Sequence, residues 1–328
     1  MGRYPFITIA NKFLRENRAY YARSTRANFR RLFRRLNEIF VELKSERKID
    51  YTTPSKMREK EITALIIYMK SEEFAPSTQD KYLDYLNRLL LHSKNTILVH
   101  LRKTKKGLMP REVPTEIAVI PQLTLQGIKE AATRLKKRWN RAVATFAVQL
   151  YSSTGLRPSE LRRAKLEDVD TTNWILHVSN PKGKGRYTTG RSVMIIKSIH
   201  ETMLTFLLKR DRYLRKYHQP DAEPLIPYCP FWRPHKARYF SQSEWAKLKK
   251  KIQKVAGIHF KWKDFRSTFA QVCIDNGAKI ESVSRLLGHS STKTTEAYYG
   301  RIRNDKAMEE VAQALEKRPV AIPVEISN

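Results

Sequence analysis

The sequence predicts a mainly α-helical protein of two parts, with one small β-hairpin or sheet. Three observations carry this reading. Apolar residues recur at three- and four-residue spacing through most of the chain, β-branched runs cluster at one place, and a basic, proline-punctuated stretch interrupts the periodicity near residue 110. At 328 residues the chain exceeds one small core, and a hydrophobic fraction of 41% suffices for globular packing.

Residues 29–43 carry Phe29, Leu32, Phe33, Leu36, Ile39, Phe40 and Leu43 on one stripe, with Arg30, Arg31, Arg34 and Arg35 largely off it. A second helix follows Pro54-Ser55, with Ile62, Leu65, Ile66 and Met69 on one face. A third follows Pro76-Ser77-Thr78, where a hydroxyl offers an N-cap and Tyr82, Leu83, Tyr85, Leu86, Leu89 and Leu90 predict burial. Residues 1–105 thus read as an all-helical bundle. Residues 106–121 contain Lys106, Pro110, Pro114 and Pro121, with Lys103 and Lys105 just before them, and read as a basic linker able to lie along a polyanion.

Beyond the linker, Leu123 to Leu150 reads as two helices. The segments Trp174–Val178 and Ser192–Ile196 flank Pro181-Lys182-Gly183-Lys184-Gly185-Arg186, the pattern of a hairpin or small sheet with a basic turn. From about residue 197 the pattern returns to helix, broken by a proline-rich stretch at 220–234, and Gly288 is expected to end a helix over Ile280–Leu287. The second unit spans 122–300. A tail over 301–328 carries Met308, Val311, Ala312 and Leu315 as a short apolar stripe.

Lysine and arginine number 64 against 32 acidic residues, a net charge of +32. Such an excess favours a nucleic-acid backbone over small acidic metabolites. Residues 1–110 hold 24 basic and 11 acidic side chains and the remainder 40 and 21, so both units are basic and a positively charged clamp is the simplest expectation. Cys229 and Cys273, 44 positions apart, form neither a disulfide framework nor a cysteine-rich zinc site. No apolar run approaches the roughly 20 residues that span a bilayer, and the amino terminus lacks a signal peptide's apolar stretch. The expectation is a cytoplasmic, nucleoid-associated protein with no metal or cofactor.

Three further blocks bear chemistry. His289 stands nine positions before Tyr298 in Leu287–Tyr299; Arg157 lies in Thr154-Gly155-Leu156-Arg157-Pro158-Ser159-Glu160-Leu161; and Arg266 lies in Lys263-Asp264-Phe265-Arg266-Ser267-Thr268-Phe269-Ala270. A phenol attacks a phosphodiester poorly unless the growing charge on phosphorus is stabilised, and a planar guanidinium can hold two oxygens at once. The lysine hairpin is no nucleotide P-loop, because Gly-x4-Gly-Lys-Ser/Thr is absent.

In their order and spacing, these three blocks and the lysine hairpin resemble the tyrosine recombinase, or phage integrase, family. The resemblance spans most of residues 123–300, and the amino-terminal bundle matches the family's helical core-binding domain only in kind. It implies that Arg157 and Arg266 clamp the non-bridging oxygens of a scissile phosphate, that Glu160 braces Arg157, that His289 donates to phosphate, and that Tyr298 is the nucleophile. Tyr299, about 100° away on a helix, is read as a packing residue. A hairpin lysine would protonate the departing 5′-oxygen; Lys182 fits that role and Lys184 is the alternative. Lys184 and Arg186 would otherwise join Arg30, Arg31, Arg34, Arg35, Lys103, Lys105 and Lys106 on the DNA backbone.

Two positions depart from the family pattern. Lys263 stands where histidine is common, and Ser267 where a further histidine is frequent. Lysine can donate to a phosphate oxygen, but with an unperturbed pKa of about 10.4 it is a weak general base at neutral pH. The implied activity is site-specific cutting and rejoining of double-stranded DNA through a 3′-phosphotyrosyl link, without metal or ATP. Protomers would pair on each core site and form a tetramer in synapsis, with the tail exchanged between protomers or packed on its own domain. A type IB topoisomerase, and a DNA-binding protein that has lost catalysis, are the competing readings.

Overall fold

The computed structural model describes residues 5–111, 118–181, 190–230 and 236–288, together with Glu296, Met308, Val311, Ala312, Leu315 and Glu316. The chain divides into two compact units, residues 1–115 and 116–328.

The first unit consists of α1 (Pro5–Glu16), α2 (Arg23–Ser45), α3 (Glu59–Ser71), α4 (Pro76–His92) and α5 (Ile97–Thr104), with a short 3₁₀ turn at Pro54–Lys56. The stripe expected on α2 is wholly buried, and α1 supplies Phe6 and Phe13 against it. Phe13 meets Phe29 and Phe33 edge-on at 5.4 and 5.9 Å. Each such ring contributes about 1.5–3 kcal/mol by leaving water, which offsets the entropy of ordering helices as short as α5. Neither α1 nor α5 was expected from the periodicity. At 12 and 8 residues they are marginal in isolation, and tertiary packing holds them.

The hydroxyl cap expected on α4 is not used. Ala75 is the N-cap without a side-chain bond, and Pro76 takes the first helical position, where its fixed φ and missing N–H cost nothing. The loop between α2 and α3 is organised by the buried Glu61 carboxylate, which accepts the backbone N–H groups of Asp50, Tyr51 and Arg58 at 3.1, 3.2 and 2.7 Å.

The second unit contains α6 (Gln122–Thr133), α7 (Arg138–Thr154), α8 (Pro158–Arg162), β1 (Val169–Asp170), β2 (Ile175–Val178), β3 (Arg191–Met194), α9 (His200–Lys216), β4 (Pro227–Tyr228), β5 (Arg238–Tyr239), α10 (Gln242–Ala256), α11 (Asp264–Asp275) and α12 (Ile280–Leu287). Helix α7 is the central element and packs on α6, α9, α10 and α11. Its buried residues, Ala142 to Thr154, surround most of the helix, as a fully enclosed helix requires. Around its end Tyr151, Trp245, Trp262 and Phe265 form a ring cluster with centroids 5.3 to 6.5 Å apart.

The β-branched segments pair as expected, in an antiparallel sheet of order β1-β2-β3 with Leu176 opposite Val193 and Val178 opposite Arg191. The proline-rich stretch read as a simple break instead contributes β4, which pairs with β5. The entry to the unit is tied to α11. The Ile120 amide donates to the Thr268 hydroxyl at 2.8 Å, and Ser267 Oγ donates to the Ala118 carbonyl at 2.7 Å. In the tail, Met308, Val311 and Leu315 are exposed.

Gly155 ends α7 at φ +61° with its N–H on the Tyr151 carbonyl, and a Cβ there would stand 2.5 Å from Phe269 and 2.8 Å from Leu287. Gly257 ends α10 in the same conformation, φ +67°, with open space around it. Gly257→Ala should therefore cost about 1–2 kcal/mol from the left-handed backbone alone, and Gly155→Ala an additional 1–3 kcal/mol from overpacking, or roughly 2–5 in total. Urea unfolding of both variants tests this, and equal losses would mean that the core yields to the added methyl.

Candidate active site

The turn after α7 sets up the first arginine. Tyr151, fully buried with its hydroxyl pushed above the usual phenol range by that burial, donates to the Pro158 carbonyl at 3.1 Å and pins the start of α8. Gly155 reverses the chain, Leu156 is buried, and Arg157 becomes the N-cap of α8 in an extended conformation. Glu160, three residues on, accepts the Arg157 backbone N–H at 2.9 Å, half of the reciprocal arrangement that starts many helices.

The Glu160 side chain is only 1% exposed, and its two oxygens carry four hydrogen bonds. Oε1 accepts Arg157 Nη1 at 2.8 Å and Arg191 Nη1 at 3.1 Å; Oε2 accepts Arg191 Nη2 at 2.7 Å besides the Arg157 amide. Burial alone would raise this carboxyl, but the hydrogen bonds and charge of Arg191, and the hydrogen bonds of Arg157, outweigh it and hold Glu160 below its ordinary range.

Three consecutive carbonyls at the end of α12 draw the site together. Leu286 O accepts Arg191 Nε at 2.8 Å, Leu287 O accepts Arg266 Nη2 at 2.6 Å, and Gly288 O lies 3.4 Å from Arg157 Nη2. Arg266 also donates from Nη1 to the Gly155 carbonyl at 3.0 Å, which ties α11 to the turn before Arg157. Gly288 closes α12 at φ +69°, as expected, and Arg191 lies directly against it: a Cβ there would meet the Arg191 side chain at 3.0 Å. A helix C-terminus presents unpaired carbonyls and partial negative charge, which favours cations there.

The structure thus brings Arg157, Glu160 and Arg266 together. Lys263 is exposed at the N-cap of α11, one turn before Arg266. Ser267 has turned to the Ala118 and Asp264 carbonyls, at 2.7 and 2.9 Å. Lys182, Lys184, Arg186, His289, Tyr298 and Tyr299 lie outside the described residues. On the first unit Arg30, Arg31, Arg34, Lys103 and Lys106 are exposed, while Arg35 pairs with Glu38 at 3.3 Å and Lys105 pairs with Glu59.

Two features escaped the sequence reading. Arg191 shares the face of β3 with Val193 and Ile195, both buried, and an arginine on an inward strand face was the available signal. The second is a groove of about 690 Å³ lined by Asn11, Leu14, Arg15, Arg18, Arg23, Arg26 and Arg30, which required α1 to be recognised first.

A model of the phage integrase family matches residues 121–304, more than half of the chain. The chain belongs to the phage integrase family. Within it, a tyrosine recombinase of Agathobacter rectalis is 24% identical over 219 residues, 66% of each chain. The tyrosine recombinase XerA of Thermococcus kodakarensis is 27% identical over 262 residues, covering 70% of this chain and 87% of its own. The chain spans about two thirds of the length of the first of these relatives. A XerH site-specific recombinase solved with its palindromic difH substrate superposes with a TM-score of 0.66 at 19% identity, over 89% of this chain and 80% of its own, and shares the family fold. Among the described residues no helix is long and apolar enough to cross a membrane.

Glu160 gives the site a pH signature. Because its folded pKa is depressed, its contribution to stability is complete above the unfolded value of about 4.3 and is lost as pH falls through the lower folded value. At neutral pH Glu160→Gln should cost about 3–5 kcal/mol by leaving two guanidinium groups without their counter-charge. The melting-temperature gap between the native protein and this variant should hold steady down to about pH 5 and narrow below it. A gap that stays constant to about pH 3 would show that the carboxylate's charge adds nothing.

Proposed function

We propose that this chain is a site-specific DNA recombinase of the tyrosine type, cutting and rejoining duplex DNA through a covalent phosphotyrosyl link. The observation that carries the proposal is the convergence of Arg157 and Arg266 on the adjacent Gly288 and Leu287 carbonyls, immediately before His289, which itself stands nine residues before Tyr298.

In this reading the two guanidinium groups hold the non-bridging oxygens of one phosphate. Their charge meets the negative charge that builds as phosphorus becomes five-coordinate. The Tyr298 oxygen attacks as its phenolic proton passes to solvent, a phosphotyrosyl ester forms at the 3′ end, and the bond to the 5′-oxygen breaks. Lys182, or Lys184 two residues on, supplies the proton that this oxygen takes up. One phosphoester replaces another of similar energy, so reversal onto a different strand needs no ATP. Lys263, exposed one turn before Arg266, serves as a donor to phosphate.

Duplex DNA is the substrate this charge suits, with a net +32 spread over both units and an arginine-lined groove on the first. The XerH recombinase was itself solved bound to its palindromic difH substrate. We assign residues 1–105 to core binding, 106–121 to a basic linker, 122–300 to catalysis and 301–328 to a tail that pairs protomers on a core site. Exposure of Met308, Val311 and Leu315 supports that tail role.

A duplex nicked close to the cleavage site traps the covalent intermediate. Native protein should yield a DNA–protein adduct on denaturing gels, Tyr298→Phe none, and Tyr299→Phe an adduct. Arg157→Ala or Arg266→Ala should slow single-turnover cleavage about 10²–10³-fold, with DNA affinity changed far less. An adduct that persists in Tyr298→Phe would move the nucleophile, and relaxation of supercoils without strand exchange would assign the chemistry to a topoisomerase.

A further inference from the structure

We infer that Arg191 is a positioning residue that takes up the charge of Glu160, so that Arg157 keeps its own positive charge for the phosphate. The inference rests on the recombinase reading above and deepens it. Glu160 carries one negative charge in surroundings almost closed to water. Paired with Arg157 alone, it would fix that side chain in place but also neutralise it, and a neutralised guanidinium is of little use to a developing oxyanion.

Arg191 resolves this conflict. It meets Glu160 with both terminal nitrogens, at 2.7 and 3.1 Å, and its Nε is on the Leu286 carbonyl, so all three nitrogens face protein. Its side chain is 10% exposed, against 23% for Arg157. Arg157 reaches Glu160 through one side-chain nitrogen, Nη1, and its Nη2 stands 3.4 Å from Gly288 O. Arg191 is therefore the closer partner of the carboxylate, and the three groups together keep a net charge of +1. The more exposed member carries it outward. Geometry and charge are supplied by different residues: Glu160 orients Arg157, and Arg191 cancels the electrostatic penalty of that orientation.

The test compares single-turnover cleavage of a nicked duplex bearing either an ordinary scissile phosphodiester or an uncharged methylphosphonate, with melting temperatures recorded for every protein. On the phosphodiester, Arg191→Gln should slow cleavage about 10- to 100-fold. Arg191→Lys, which keeps the charge but loses the fork, should fall between that variant and the native protein. Adding Glu160→Gln to Arg191→Gln should restore several-fold of the rate, because the carboxylate no longer draws on Arg157. On the methylphosphonate, the ratio of native to Arg191→Gln rates should shrink to about threefold or less.

A merely structural role predicts otherwise: the same ratio on both substrates and a double variant no faster than the single. Either result overturns the inference while leaving the recombinase reading intact, as does a native cleavage rate in Arg191→Gln. If the native protein forms no adduct on either duplex, the reading and the inference fall together. Should Arg191→Gln fold poorly, Arg191→Lys and the charge-neutral double variant carry the comparison.

Discussion

The arginine cluster of the second unit turns on the carboxyl end of α12. The last carbonyls of a helix have no partners within it, and they carry the negative pole of its dipole. Here Leu286, Leu287 and Gly288 give those oxygens to Arg191, Arg266 and Arg157, which come from a strand, a second helix and a third helix's N-cap. No two of these arginines are near one another in sequence, so the cluster exists only once all four segments have packed. The cations are thereby oriented by neutral oxygens, which fix their position without cancelling their charge, and among the described residues Glu160 is the anion that pairs with Arg157 and Arg191.

That arrangement needs rigid support, and α7 provides it. Its apolar residues fill the centre of the unit, and its last turn passes through Tyr151 and Gly155 directly into Arg157. Phe269 and Leu287 close on Gly155 from α11 and α12, so the elements that carry Arg157, Arg266 and the α12 carbonyls share one patch of side-chain packing. A shift of one of them is felt by the others, because close-packed interiors transmit displacement. The first unit works on another scale. Its aromatic core holds a bundle whose surface displays arginines along α2 and around the groove beside α1.

Periodicity and motif made most of this legible. The stripes on α2, α3 and α4, the division of 123–150 into two helices, the antiparallel strand pair and the Gly288 terminus follow from local pattern, and the same features stand in the structure. The pairing of Arg157 with Glu160 was legible through the family resemblance, and the structure shows it across three residues. What escaped was non-local or short. The helices α1 and α5 owe their existence to packing, and β4 and β5 are two residues each. Arg191 hid in a basic neighbourhood where any arginine looks solvated, and only the inward register of β3 sets it apart. Ser77 and Thr78 misled for the opposite reason, since Pro76 already satisfied the geometry a hydroxyl would have served.

The bonds at the threshold of the second unit carry a consequence for modular assembly. Ala118 and Ile120 are fastened to Ser267 and Thr268, the two residues that follow Arg266 on α11. A change of length upstream of Ala118 therefore leaves the anchoring of that helix untouched, whereas one residue inserted between Ala118 and Ile120 forces one of the two fastenings open. The chain has in effect a chemical suture at this point. Different amino-terminal segments joined ahead of it would leave the Arg266 guanidinium undisturbed.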